Sequence, residues 1–168
     1  MTTRCCVGCV LLDWGDTLMR VYDYPGPMAR WPHATALPYA AQALEALHPT
    51  WTLALATNAA DSDESEIRAA LKRVDLDAWI DRVYAFRTLR QRKPSPEFFA
   101  AVLEDLALPP AQAIMVGDDW ENDIQGALAN GLKAVWLNEN NDRQRQGAKL
   151  RTIHSLRALP QAVRELAV

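Results

Sequence analysis

Cysteine is scarce in this chain of 168 residues, and the few cysteines lie together near its start. Cys5, Cys6 and Cys9 fall within five positions, a spacing that is too short for a disulfide framework. Cys6 and Cys9 have the spacing of half a metal site, but no second pair of cysteine or histidine residues follows at ligand spacing. We therefore favour their interpretation as small apolar residues of a buried strand.

Long hydrophobic runs and an excess of one charge are also absent. The apolar run 5–12 ends at Asp13, is too short to span a membrane and lacks a signal-peptide cleavage pattern, so we expect a cytoplasmic protein. Eighteen Lys and Arg residues against 21 Asp and Glu residues give a formal net charge of −3, which argues against nucleic acid as a general partner. The sequence shows no internal repeat, and its length fits a single domain over residues 1–168.

What the chain does contain is an alternation of short apolar runs with stretches of helical periodicity. Apolar runs bounded by polar residues or glycine are typical of strands buried on both faces, and they cover residues 10–12, 53–56, 83–86, 114–116 and 134–137. Helical spacing of apolar residues covers 40–47, 67–74, 99–106 and 159–166. Ser95 before Pro96 indicates the start of a helix, and Gly131 indicates the end of another. The alternation predicts an α/β fold, a Rossmann-like parallel sheet of about five strands with helices on both faces.

Two segments interrupt this alternation. Residues 14–36 contain three prolines, two glycines and several aromatic residues, which predicts a long ordered loop or a small hairpin over the sheet edge. The aromatic residues of this loop are interpreted either as substrate contacts or as packing of the loop onto the domain. Residues 138–151 are polar and are predicted to form a mobile connection.

Polar side chains gather at the points where the predicted strands end. Ligands of open parallel sheets bind beyond the carboxyl ends of the strands, so these side chains are expected to meet. Clustered carboxylates repel one another unless a cation neutralises them, and Mg²⁺ suits a site of few protein oxygens. A hydroxyl and a lysine suit a transferring phosphoryl group, and a strand-end aspartate can serve as its nucleophile. The alternative is that Asp and Thr after strands only form turns and helix caps. The strand-end residues are Asp13, Asp16, Thr17, Thr57, Asn58, Arg87, Arg90, Arg92, Lys93, Asp118, Asp119 and Asp123.

Four segments resemble, in order, the motifs of the haloacid dehalogenase-like superfamily, most of whose members are Mg²⁺-dependent phosphatases. The first leads from an apolar strand into Asp13, the second ends a strand at Thr57, the third begins at Lys93, and the fourth is an acidic Gly-Asp sequence. The matching segments are 10–18, 55–58, 93–99 and 116–127. The resemblance extends over most of the chain and implies a single domain of the superfamily's fold.

The resemblance implies a catalytic set that acts on a phosphorylated substrate. Asp13 would attack phosphorus and form an aspartyl-phosphate, while Thr57 and Lys93 would hold the phosphoryl oxygens. Asn58, directly after Thr57, and Arg92, directly before Lys93, are predicted to contact substrate as well. Arg92 belongs to a run of basic residues that could grip a second phosphate or lie on a solvated loop.

The resemblance also implies a Mg²⁺ site. Asp13 and Asp118 would ligate the ion together with the backbone carbonyl of Gly15, and Asp123 would support the metal from nearby or through water. Asp119 has two possible interpretations under the resemblance: it supports this site, or it is only a helix N-cap.

The chain departs from the superfamily pattern at Gly15. Phosphatases of the superfamily carry there a second aspartate, which protonates the leaving group and activates water, and such a group contributes about 10²–10⁴-fold to rate. Asp16 is predicted to act as a substitute acid and base, or alternatively to occupy a bend where glycine is common. A third interpretation is that substrates with good leaving groups need no acid.

The spacing between motifs leaves little room for a cap domain. About 20 residues before the first helix lie free to cover the site, which predicts a capless or minimal-cap phosphatase whose open site favours bulky or extended substrates. The alternative function is a catalytically degenerate domain that binds a phosphorylated ligand or a protein partner. A metal-independent dehalogenase acting through Asp13 is disfavoured by the acidic fourth motif.

Overall fold

The computed structural model describes residues 7–167, and their strands form a six-stranded parallel sheet of order β3-β2-β1-β4-β5-β6. Cys9 is buried in β1, whereas the interpretation of Cys5 and Cys6 falls outside the described residues. Because β1 pairs with both β2 and β4, the segments that follow these strands emerge side by side. The strands are β1 (Cys9–Leu12), β2 (Thr52–Thr57), β3 (Arg82–Ala85), β4 (Ala113–Gly117), β5 (Lys133–Leu137) and β6 (Leu150–Ile153).

Helices cover both faces of the sheet, which confirms the α/β, Rossmann-like architecture. Alternate residues of a strand point to opposite faces, so Val10 and Leu12 join a core with α1, α2 and α6, while Leu11 joins a core with α4 and α5. The helices are α1 (Ala40–Leu47), α2 (Glu64–Lys72), α3 (Phe86–Leu89), α4 (Pro96–Leu106), α5 (Gly126–Ala129) and α6 (Leu159–Ala167).

Side chains that cap the helices fix several of these boundaries. The Ser95 hydroxyl accepts a hydrogen bond from the backbone N–H of Phe98, and Pro96 occupies the first turn of α4, so the predicted helix start is confirmed. Asp63 and Glu66 form a reciprocal capping box at the start of α2. Gly131 lies at φ +83° just after α5, where its lack of a Cβ lets the chain turn into β5.

The sheet has one strand more than the five apolar runs of the sequence indicated. The additional strand, β6, lies at the sheet edge, and only Ile153 of its four residues is buried. Such a strand leaves almost no hydrophobic pattern, which is why the sequence reads as a polar connection there. Asn138 organises the start of this connection, because its amide donates hydrogen bonds to the backbone carbonyls of Asn141 and Arg143.

Residues 14–36 fold back on themselves beside the carboxyl edge of the sheet. Met19 bridges Ala36 in antiparallel fashion, and the buried Trp31 donates its indole N–H to the carbonyl of Gly26. No separate cap domain is inserted between the motifs within residues 7–167. In the same range no helix is both long and apolar enough to cross a bilayer.

Candidate active site

The residues that follow three neighbouring strands open onto one cavity at the carboxyl edge of the sheet. Asp13 follows β1, Thr57 ends β2 and Asp118 follows β4. The cavity has a volume of about 360 Å³, within the usual range of ligand pockets. Its lining residues are Asp13, Trp14, Gly15, Asp16, Val21, Met28, Thr57, Asn58, Ala59, Lys93, Asp118, Asp119, Asn122 and Asp123.

Three carboxylates converge on the floor of this cavity. Oxygen atoms of Asp13, Asp118 and Asp123 all lie within 4.8 Å of one another. Burial, together with the charge of Asp13, raises the pKa of Asp118 to about 6. The same two causes raise the pKa of Asp123, although the Lys93 ammonium opposes the change. Burial and the charge of Asp13 therefore disfavour the ionised forms of Asp118 and Asp123.

Lys93 is the cation that partly compensates these carboxylates. Its ammonium donates hydrogen bonds to Asp13 Oδ1 at 2.8 Å and to Asp123 Oδ1 at 2.6 Å, and its side chain is only 2 % exposed. Burial by itself lowers the pKa of Lys93, but the carboxylate charges of Asp13 and Asp123 outweigh burial and raise it. Lys93 therefore stays protonated beside Asp13.

Asn58 clamps the backbone of Lys93. Its side-chain oxygen accepts a hydrogen bond from the Lys93 N–H at 2.8 Å, and its amide donates one to the Lys93 carbonyl at 2.9 Å. The sequence predicted substrate contact for Asn58, and the structure adds this clamp, which ties the end of β2 to the lysine. Thr57, 5 % exposed, accepts a hydrogen bond from the backbone N–H of Ala59, which leaves its hydroxyl hydrogen to donate into the cavity.

Asp123 reaches the cavity because the chain after β4 winds as a π-helical segment, Trp120–Gln125. The backbone of Gly117 passes so close to Asp123 that a Cβ on residue 117 would lie 2.0 Å from Asp123 Oδ2. Asp119 caps this segment by accepting hydrogen bonds from the N–H groups of Glu121 and Asn122. Burial raises the pKa of Asp119, but these hydrogen bonds outweigh it and lower the pKa. The geometry favours the N-cap interpretation of Asp119.

Two residues without a role assigned from the sequence hold Asp118 in place. The buried hydroxyl of Thr17 donates to Asp118 Oδ1 at 3.1 Å, and the indole N–H of Trp136 donates to the Asp118 carbonyl at 3.0 Å. Thr17 was among the strand-end residues of the sequence, without an assigned role. No sequence signal indicated Trp136, because its partner is a backbone atom 18 residues away.

Asp16 lines the cavity, but its carboxylate is engaged in a local turn. Asp16 has φ +50°, and its Oδ1 accepts a hydrogen bond from the backbone N–H of Val21 at 3.0 Å. Asp tolerates this left-handed conformation better than most residues. These contacts favour the bend interpretation of Asp16 that the sequence left open.

The structure does not bring Arg92 to the cavity. Its guanidinium lies over the ring of Phe86, 4.3 Å from the ring centroid, and Arg92 is absent from the lining residues. Arg87, from the same basic run, lies 3.7 Å from Glu66 of α2. The basic run therefore serves packing and surface ion pairing in this structure.

The residues at the carboxylate cluster fit a hard divalent cation. Mg²⁺ prefers oxygen ligands and binds through one or two carboxylates, retaining water for the remaining positions. Asp13 and Asp118 offer such oxygens, and burial together with the charge of Asp13 raises the pKa of Asp118, a shift that a bound cation would oppose. The backbone carbonyl of Gly15, a residue that lines the same cavity, is the further ligand that the resemblance implies.

Comparison with known proteins identifies the family of this arrangement. A family model described as haloacid dehalogenase-like hydrolase matches residues 9–131. An uncharacterised protein from Listeria monocytogenes serotype 4b has the same fold, with a TM-score of 0.81 and 27 % identity over 95 % of this chain and 98 % of its own.

Curated relatives match over shorter stretches. Human N-acylneuraminate-9-phosphatase is 37 % identical over 89 residues, which are 52 % of this chain and 35 % of the relative. The pyrimidine 5'-nucleotidase YjjG of Escherichia coli K12 is 30 % identical over 129 residues, 76 % of this chain and 56 % of the relative. The chain thus spans about a third to a half of the length of these relatives.

Proposed function

The chain belongs to the haloacid dehalogenase-like hydrolase family, and on that premise we propose that it is a Mg²⁺-dependent phosphohydrolase acting through an aspartyl-phosphate on Asp13. The observation that carries the proposal is the contact between the buried Lys93 ammonium and the carboxylate of Asp13, a member of the carboxylate cluster. A nucleophile next to a fixed positive charge and a cation site is what the charge of a transferring phosphoryl group requires.

Each of these side chains then has a defined role in phosphoryl transfer. A carboxylate oxygen of Asp13 forms a bond to phosphorus while the bond to the leaving oxygen breaks and its electron pair departs with that oxygen. Lys93 and the Thr57 hydroxyl hold the phosphoryl oxygens. Water then attacks phosphorus, which releases inorganic phosphate and restores the Asp13 carboxylate.

The metal part of the proposal concerns the same cluster. Asp13, Asp118 and the Gly15 carbonyl would hold Mg²⁺, and Asp123 would support the ion from nearby or through water. The ion would supply charge neutralisation for the phosphoryl oxygens. Thr17 and Trp136 keep Asp118 in position for this role.

The substrate is proposed only as a class. The curated relatives named above are called a phosphatase and a nucleotidase, and both names denote removal of phosphate. We propose only this reaction for the chain. The substrates of the two relatives are not proposed, since the chain covers only part of each relative. The absence of a separate cap domain within residues 7–167 supports a substrate as bulky as the open cavity would admit.

The experiment compares phosphate release by the wild type and by Asp13→Asn. The wild type is expected to release phosphate from p-nitrophenyl phosphate in Mg²⁺ and not in a chelator, and Asp13→Asn is expected to be inactive in both. Asp142→Asn, the same change at an exposed position, is the matched control and should behave as wild type. Activity of Asp13→Asn at the wild-type level would refute the nucleophile.

A degenerate binding domain is the second candidate function, and Gly15 is the observation that favours it. Such a domain would bind phosphate compounds without ever forming a covalent bond to them. A hydroxylamine-sensitive phosphoryl label on the protein, trapped by rapid acid quench, separates the two candidates. The phosphohydrolase predicts the label, and the binding domain predicts its absence.

A further inference from the structure

The space next to Gly15 is filled by an apolar side chain. A Cβ on residue 15 would lie 2.7 Å from Val21 Cγ2 and 3.7 Å from Met28 Sδ. Val21 and Met28 both line the cavity, and Val21 is 48 % exposed, which makes it one of the few large apolar residues open to solvent in the described chain. The mouth of the cavity beside the nucleophile strand is therefore apolar.

Asp16 fixes this apolar wall in place. Its carboxylate accepts the N–H of Val21 at 3.0 Å, and its own N–H donates to the carbonyl of Met19 at 2.7 Å. The Gly15-Asp16 sequence thus has a structural consequence: the small residue makes room for Val21, and the aspartate holds the Val21 backbone. Asp16 is a positioning residue for the wall.

The other ionisable groups that line the cavity form hydrogen bonds away from the apolar wall. The Lys93 ammonium lies between Asp13 and Asp123, and it is 2 % exposed. Asp118 accepts the Thr17 hydroxyl, and Asp119 accepts N–H groups of its own helical turn. None of these groups belongs to the wall that Val21 and Met28 form beside Gly15.

We propose that the site acts on aryl phosphates whose leaving phenolates are weak bases, with the ring against Val21 and Met28; this inference rests on the proposed phosphohydrolase function. Asp13 attacks phosphorus, the P–O(aryl) bond breaks, and the phenolate departs with the electron pair and takes its proton from water. No proton comes from the protein. An alkoxide is too basic to depart in this way, so alkyl phosphates are poor substrates.

The test measures kcat/KM over a series from p-nitrophenyl phosphate through phenyl phosphate to glycerol phosphate. A positioned acid contributes about 10²–10⁴-fold, so kcat/KM is expected to fall at least about 100-fold along the series. Glycerol phosphate turned over as readily as p-nitrophenyl phosphate would overturn the inference and leave the phosphohydrolase standing. Failure of every compound would refute the phosphohydrolase and the inference with it.

Asp16→Asn distinguishes a positioning residue from a proton donor. Asparagine keeps an oxygen for the Val21 N–H but cannot donate a carboxyl proton. The fall along the series is expected to be as steep in this variant as in the wild type. A shallow wild-type series that becomes steep in Asp16→Asn would assign the proton to Asp16 and contradict the inference.

Val21→Thr tests the wall itself, because threonine keeps the branched shape and replaces one methyl group by a hydroxyl. One buried methylene is worth about fourfold, so kcat/KM for p-nitrophenyl phosphate should fall by about that factor or more. Acetyl phosphate, which has no ring to place against residue 21, should lose less. Val7→Thr is the matched control, since Val7 is also exposed but precedes β1 at its opposite end. An equal loss of kcat/KM for both substrates in Val21→Thr would contradict the contact between the ring and Val21.

Discussion

At the scale of single residues, the site depends on a cation that water hardly reaches. Lys93 contacts two carboxylates, and both Lys93 and Asp123 are almost fully buried, so Asp123 cannot obtain the same compensation from solvent. Removal of one partner from a buried ion pair leaves the other charged and unpaired, which costs more than the pair itself contributes. The lysine is thus expected to support folding as well as any reaction at Asp13.

Lys93→Met is expected to lower the free energy of unfolding by about 3–5 kcal/mol near pH 8 and to abolish activity. Without the ammonium, the pKa of Asp123 rises further above its value in the unfolded chain. The folded variant then binds a proton more tightly than the unfolded one. The loss of unfolding free energy relative to the wild type should therefore be smaller at pH 5 than at pH 8. Urea unfolding of the wild type and the variant at the two pH values measures this loss.

The control is the double variant Lys93→Met, Asp123→Asn, which removes both charges. It should recover much of the stability and none of the activity. A deficit of the single variant that is the same at pH 5 and pH 8 would contradict the assignment of the loss to Asp123.

Gly15→Ala is the second residue-scale prediction. The added methyl would lie 2.7 Å from Val21 Cγ2, and overpacking of this kind typically costs about 1–3 kcal/mol. Val21→Ala in the same chain should relieve the contact and return the melting temperature toward that of Val21→Ala alone. Additive losses in a double-mutant cycle would show that the two side chains do not meet.

At the scale of elements, strand β4 and the π-helical segment act as one unit. The end of β4 at Gly117 and the turn that carries Asp123 approach so closely that they share a space fit only for a backbone. The acidic sequence after β4 therefore needs its glycine for packing, independently of any chemistry.

Gly117→Ala is expected to destabilise the protein by more than the about 1–3 kcal/mol of ordinary overpacking, because the Cβ would meet Asp123 Oδ2 at 2.0 Å. Gly147→Ala is the matched control, since nothing lies within 4 Å of a Cβ at that position. Calorimetric melting of the two variants makes the comparison. Equal melting temperatures would contradict the close approach.

The elements also show how far sequence patterns reach. The apolar runs and the Ser95-Pro96 start were sufficient to place five strands and α4, because burial on both faces and capping chemistry leave local signals. The edge strand β6 was missed because a half-exposed strand of four residues has no such signal.

The candidate site shows the same division between local and distant contacts. Asp13, Thr57 and Asp118 were predictable because each follows or ends a strand. Lys93 lies further along the chain, beyond α3, and was indicated by the third motif. The clamp of Asn58 on Lys93 joins residues 35 positions apart, and the wall at Val21 depends on the folding of a loop. Neither contact follows from the order of the residues.

At the scale of the whole molecule, the carboxylate cluster couples the fold to a cation. Asp118 has a pKa of about 6 in the folded chain against a reference value of 3.8. The folded state then binds the proton more tightly than the unfolded state, so this group's contribution to stability falls as pH rises from about 4 to 6. A cation held by the cluster removes that loss.

We therefore expect Mg²⁺ to raise the melting temperature more at pH 8 than at pH 5, because protons compete with the ion for Asp118 at the lower pH. Thermal melts with Mg²⁺ and with a chelator at both pH values measure this difference. Asp118→Asn should reduce the Mg²⁺ effect, while Asp142→Asn, at an exposed position, should retain it. A Mg²⁺ shift that is independent of pH would place the ion away from the cluster.

The phosphohydrolase proposal is tested most directly by identifying the residue that accepts the phosphoryl group. The protein is mixed with p-nitrophenyl phosphate and Mg²⁺, quenched in acid within the first turnover and mapped by peptide mass spectrometry. We predict a phosphoryl group on Asp13 that is absent in chelator and in Asp13→Asn. A phosphoryl group on any other residue, or turnover in Mg²⁺ without a phosphorylated Asp13, would contradict the account.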